Sequence, residues 1–75
     1  MSRLPALKAD EVDEVLRKLQ RAGFEVDHIT GNHYIMRHPD GRGTVVPNHG
    51  GRDIKLGVLR AIIRQAGLTV GEFLK

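Results

Sequence analysis

Seventy-five residues with no cysteine and a net charge of +3 describe one small domain, residues 1–75, with a thin core and neither a disulfide nor a thiolate metal site. No run is long and apolar enough for a signal peptide or a membrane span, so the expectation is a soluble, cytoplasmic chain with no membrane contact. The charge is uneven: residues 1–40 hold six Lys/Arg against seven Asp/Glu, net −1, and residues 41–75 hold six against two, net +4. A basic half suits phosphate backbones, although a basic solvated surface has the same composition.

The spacing of Val12, Val15, Leu16 and Leu19 predicts a helix over 10–22. Asp10 is the expected N-cap, acidic residues fill the first turn, and Arg17, Lys18 and Arg21 follow toward the other end. Gly23 suits the left-handed position that ends a helix, with Phe24 folding back on Leu19. Three extended runs follow, over 24–29, 34–38 and 42–46. In the first, Phe24 and Val26 alternate with Glu25 and Asp27. Gly31-Asn32 and Pro39-Asp40-Gly41 are the turns between them, which makes an antiparallel meander. After Pro47 comes the glycine-rich stretch His49-Gly50-Gly51-Arg52, then Asp53 as the expected cap of a second helix. Val58, Leu59, Ile62, Ile63 and Ala66 are its buried face, and Gly67 its stop. Thr69-Val70-Gly71-Glu72 is a capping box for a last helical turn that docks Phe73 and Leu74. The expected fold is therefore α+β, a three-stranded antiparallel sheet with two helices on one face, as in double-stranded-RNA-binding domains. The other sheet face is left open.

Four histidines stand in the chain: His28, His33, His38 and His49. On the second strand His33, Ile35 and Arg37 point one way and Tyr34, Met36 and His38 the other; Tyr34 and Met36 suit the core. His33 and Arg37 then share the open face. Cleaving a phosphodiester without a metal requires a base for the 2′-hydroxyl, an acid for the leaving oxygen and cations for the developing charge. Histidine serves as either proton-transfer group at neutral pH, and arginine clamps phosphate. Read by itself, a strand histidine that follows a Gly-Asn turn is more often an ordinary surface or core residue. Metal-ligand spacings such as His-x-x-x-His are missing, so neither a metal nor another cofactor is expected. The loop 49–52 before a helix has the composition of a phosphate cradle, and equally of a plain connector.

Gly23-Phe24, Gly31-Asn32-His33-Tyr34, Arg37-His38-Pro39-Asp40-Gly41, Val46-Pro47-Asn48-His49 and the run from Leu56 to Leu68 together resemble the HicA family of bacterial toxins. The resemblance spans about residues 10–74. It implies a double-stranded-RNA-binding-like fold and endoribonuclease action on mRNA that arrests translation. It also implies a HicB-type antitoxin partner that masks the active site. The family's catalytic histidine falls on His33, and His49 matches a family histidine of structural or RNA-contacting role. Asn32 replaces a commoner serine and Val58 a commoner threonine, and neither change removes a group needed for cutting. The resulting expectation is a metal-independent endoribonuclease with His33 as general base or acid. Arg37, Arg42, Arg52 and Lys55 position the RNA, and His49 is a candidate second group. A homodimer or a toxin–antitoxin hetero-oligomer is compatible with this reading. Its rivals are a non-catalytic RNA-binding module of the same fold and a protein that only engages other proteins through the open face.

Overall fold

The computed structural model describes residues 7–48 and 50–75. Element order is α1 (Val12–Arg21), β1 (Glu25–Thr30), β2 (His33–Arg37), β3 (Gly43–Pro47), α2 (Leu56–Gln65) and the short α3 (Val70–Leu74). The strands form one antiparallel sheet in the order β1-β2-β3, so the expected α+β architecture is the one observed. α1 and α2 pack chiefly on β3, and both meet α3. Val15, Leu19, Phe24, Met36, Val46, Leu59, Ile62, Ile63, Ala66 and Phe73 form the core between sheet and helices. Burying each large side chain there contributes about 1.5–3 kcal/mol.

Both main helices stop as glycine dictates. At the end of α1 the Gly23 N–H donates to the Gln20 carbonyl and the Phe24 N–H to the Leu19 carbonyl, both at 3.0 Å. At the end of α2 Gly67 and Leu68 donate in the same way to Arg64 and Ile63. This is the Schellman arrangement, with each glycine in the left-handed region. The Thr69–Glu72 capping box also forms: Glu72 N–H donates to Thr69 Oγ1 at 3.0 Å, and Thr69 N–H to Glu72 Oε1 at 2.8 Å.

The helix starts differ from expectation. Glu11, not Asp10, is the N-cap of α1, and Lys55, not Asp53, is the N-cap of α2; neither makes a side-chain cap. The cause is a backbone bridge between Asp10 and Ile54, with the Ile54 N–H donating to the Asp10 carbonyl at 2.7 Å. Pairing holds both residues extended, so neither helix begins before it. The Asp10 carboxylate is engaged instead by the Lys18 ammonium at 2.5 Å. Val58, expected in the core, is exposed. The stripe of α2 that meets the sheet is Leu59, Ile62, Ile63 and Ala66, and Val58 lies at its edge.

The strands are each displaced by one residue from the expected runs, because Phe24 and His38 are used in turns. Gly31-Asn32 is a two-residue hairpin turn with only Gly31 at positive φ (55°), the pattern of a type II′ turn. In the second hairpin the His38 N–H donates to the Arg42 carbonyl, and the Gly41 N–H to that of His38. Pairing of β1 with β2 slips between Val26 and His28, which leaves a bulge at Asp27. Val26 and Ile29 face the helix side opposite Met36 and Tyr34, yet are exposed, since the helices sit on β3 and do not reach over this edge.

One corner joins most of these elements. Phe24 is fully buried, His38 meets its ring edge-on with centroids 5.1 Å apart, and the Arg42 guanidinium lies 5.4 Å from its centre. Arg42 also donates to Asp40 Oδ2 (2.7 Å) and to the Ala66 carbonyl that ends α2 (3.0 Å). Beside it, Thr44 is buried and donates to the Ile62 carbonyl at 3.0 Å.

Gly23 stands at φ 100°, and a Cβ there would sit 2.6 Å from His38 Nε2. Gly23→Ala therefore combines backbone strain with a clash, and a loss of about 2 kcal/mol is expected. A thermal melt should show it as a fall of roughly 10 °C for a chain of this size. The Arg42 N–H and guanidinium hold the Asp40 carboxyl below its ordinary 3.8, and the Thr69 N–H and hydroxyl hold Glu72 below 4.5. A carboxyl depressed on folding binds fewer protons than in the unfolded chain. Its stabilisation is present above the unfolded value and lost as pH falls through the folded one. Melting temperature should drop as pH is taken from 5 toward 3, and drop less steeply in Asp40→Asn with Glu72→Gln.

Candidate active site

No helix among the described residues covers the second face of the sheet. The register sets what stands on it. Opposite pairs share a face, so Thr30, His33 and Pro47 form one row, His28, Ile35 and Val45 the next, and Glu25, Arg37 and Gly43 the last. His33 opens β2 and is exposed. The Asn48 N–H donates to the Asn32 carbonyl at 2.6 Å, extending the β2–β3 pairing past His33. The backbone beside His33 is thus held on both sides, by the Gly31-Asn32 turn and by β3.

β3 ends at this same edge of the sheet and feeds the segment that leads to α2. α2 then runs back antiparallel to β3, since its last turn meets Arg42 and Thr44 near the start of that strand. Consequently the beginning of α2, with exposed Lys55, and exposed Arg52 before it stand at the His33 end. No acidic residue occupies the first turn of α2, but Asp53 stands between these two cations, and Glu11 and Asp13 line one hollow with Asn48 and Asp53, so charges of both signs meet at this end.

Two other expected contacts are placed elsewhere. Arg37 is exposed on the same face as His33 but four residues along β2, about 13 Å away by strand rise. There its Nε stands 3.7 Å from Asp27 Oδ2. Arg42 is on the helix side, occupied by Asp40 and the end of α2, and is not brought near His33. His49 lies outside the described residues. Among those residues no three His, Cys, Asp or Glu side chains cluster as metal ligands, and no helix is long and apolar enough to cross a membrane.

A further group on this face was not among the residues expected from sequence. His28 lies diagonal to His33, and its Nδ1 is 2.7 Å from Asp27 Oδ2, the oxygen that also faces Arg37. Strict alternation from Phe24 and Val26 would turn His28 toward the helices. The bulge at Asp27 turns His28 to the open face instead, beside Asp27. The adjacent Asp-His pair was visible in the sequence; the bulge that gives it its direction was not.

A small α+β domain with a half-covered sheet and a histidine-bearing open face is the class these features define. The family model described as the HicA toxin of bacterial toxin–antitoxin systems matches residues 12–68. The chain belongs to the HicA toxin family, and an antitoxin is the kind of partner that membership entails. Comparison with the curated proteins gives no match.

Proposed function

We propose that this toxin acts as a metal-independent endoribonuclease that cuts mRNA in the cytoplasm and so arrests translation. The observation that carries the reading is the position of His33: exposed, on a strand end braced by a tight turn, on the uncovered sheet face. His33 exchanges a proton with the substrate at the scissile phosphate. Arg52 and Lys55 hold the RNA backbone near it, and Arg37 meets the strand further along the face. The α-β-β-β-α order, which double-stranded-RNA-binding domains also have, supports RNA as the ligand. An antitoxin of the HicB type covers this face in the inhibited complex.

Pure protein incubated with a defined single-stranded RNA in EDTA is the direct test. The wild type should yield discrete fragments, and His33→Ala should cut at least about 100-fold more slowly while melting at the wild-type temperature. RNA binding by both proteins with cutting by neither would leave a non-catalytic binding module. Arg52→Ala and Lys55→Ala should each weaken RNA binding and lower the slope of log affinity against log salt by about 0.7 for a lost contact to single-stranded RNA. Fluorescence anisotropy across a salt series reads this directly.

A further inference from the structure

Cutting RNA at a phosphodiester takes two proton transfers, and His33 can make only one of them at a time. The geometry points to His28 as the second group: we infer that Asp27 and His28 form a carboxylate–histidine pair that delivers the proton to the leaving oxygen. This rests on the ribonuclease reading above.

Three observations carry it. First, the register puts His28 diagonally across from His33 on the same face, a separation of about 7 Å between neighbouring strands. A phosphate group fits between two rings so placed, each reaching an oxygen on its own side. Second, His28 Nδ1 is 2.7 Å from Asp27 Oδ2. A carboxylate on Nδ1 holds that nitrogen as the donor and leaves Nε2 on the far side of the ring, where the imidazolium form carries the proton to be given, as in other carboxylate–histidine pairs. Third, Arg37 stands 3.7 Å from the same Asp27 oxygen, so the pair is anchored from β2. The charged and titratable groups on this face around His28 are Glu25 and Asp27 on its own strand and His33 and Arg37 on β2. β3 contributes only Gly43, Val45 and Pro47 to this face. The bulge at Asp27 is what assembles the pair, and bulges next to active sites commonly re-aim a side chain in this way.

The chemistry balances without a co-reactant. His33 takes the proton of the 2′-hydroxyl, and the 2′-oxygen forms a bond to phosphorus. The bond from phosphorus to the 5′-oxygen breaks, and His28 Nε2–H gives its proton to that oxygen. The products are a 2′,3′-cyclic phosphate and a 5′-hydroxyl. His33 ends protonated and His28 neutral, and exchange with water restores both. His28 is then a catalytic residue and Asp27 a positioning residue acting through it.

The test compares two versions of one RNA at its mapped cut site: the natural linkage, and a linkage in which sulfur replaces the 5′-bridging oxygen. A thiolate leaves without being protonated, so the sulfur substrate has no need of an acid. His28→Ala should cut natural RNA at least about 100-fold more slowly than wild type and the sulfur substrate within a few-fold of it. Asp27→Asn should show the same pattern with a smaller loss. His33→Ala should be slow on both. Equal losses on both substrates in His28→Ala would overturn the acid role, as would wild-type cutting of natural RNA by that variant; the ribonuclease reading survives either result. If the wild type cuts neither substrate, it is the ribonuclease reading itself that fails. His28 is about half exposed, so its loss should leave the melting temperature unchanged, which a parallel melt checks.

Discussion

The corner around Phe24 is the constraint on which the rest of the structure depends. Phe24 is buried at the point where α1 ends, β1 begins, the second hairpin turns and α2 ends. Its ring is sealed by His38 on one side and Arg42 on another. Arg42 then carries the constraint onward, since the same guanidinium neutralises Asp40 and satisfies a carbonyl at the negative end of α2. A cation placed there serves hairpin and helix together. Only glycine at position 23 lets the chain enter this corner, because of its φ and because His38 occupies the space a side chain would need.

Fixing one end of the sheet in this way determines the other. With α2 tied to the start of β3, its beginning is carried to the strand's far end, where His33 and the segment holding Arg52 and Lys55 lie. The Asp10–Ile54 bridge closes that end by joining the approach to α1 with the approach to α2. The His33 end of the molecule is thus built from backbone pairing and a tight turn, while the opposite end is built from packed rings and a clamped guanidinium.

Strand β1 has a distinct character. Its helix-side residues Val26 and Ile29 are exposed because both helices are spent covering β3. In a chain of 75 residues two short helices cannot cover three strands, and the edge farthest from them goes uncovered. The same edge carries the bulge. An edge strand is paired on one side only, so an extra residue there disturbs one ladder rather than two. That tolerance is what allows Asp27 and His28 to be presented on the face with His33.

By itself the sequence determined the features that depend on short-range chemistry. Both helix stops follow from Gly23 and Gly67, the capping box from Thr69 and Glu72, the hairpins from Gly31-Asn32 and Pro39-Asp40-Gly41. The face assignment on β2, with Met36 inward and His33 outward, follows from alternation alone. Tertiary structure decided what depends on distant pairing. Asp10 and Asp53 fail to cap their helices because the Asp10–Ile54 bridge holds the chain extended at both points. Arg42 reads as a surface cation in sequence and is committed to the end of α2 in space. Arg37 shares a face with His33 but is separated from it along the strand. His28 changes faces because the ladder slips at Asp27. Alternation counts residues along one strand, whereas a bulge is a mismatch between two strands, and only their pairing reveals it.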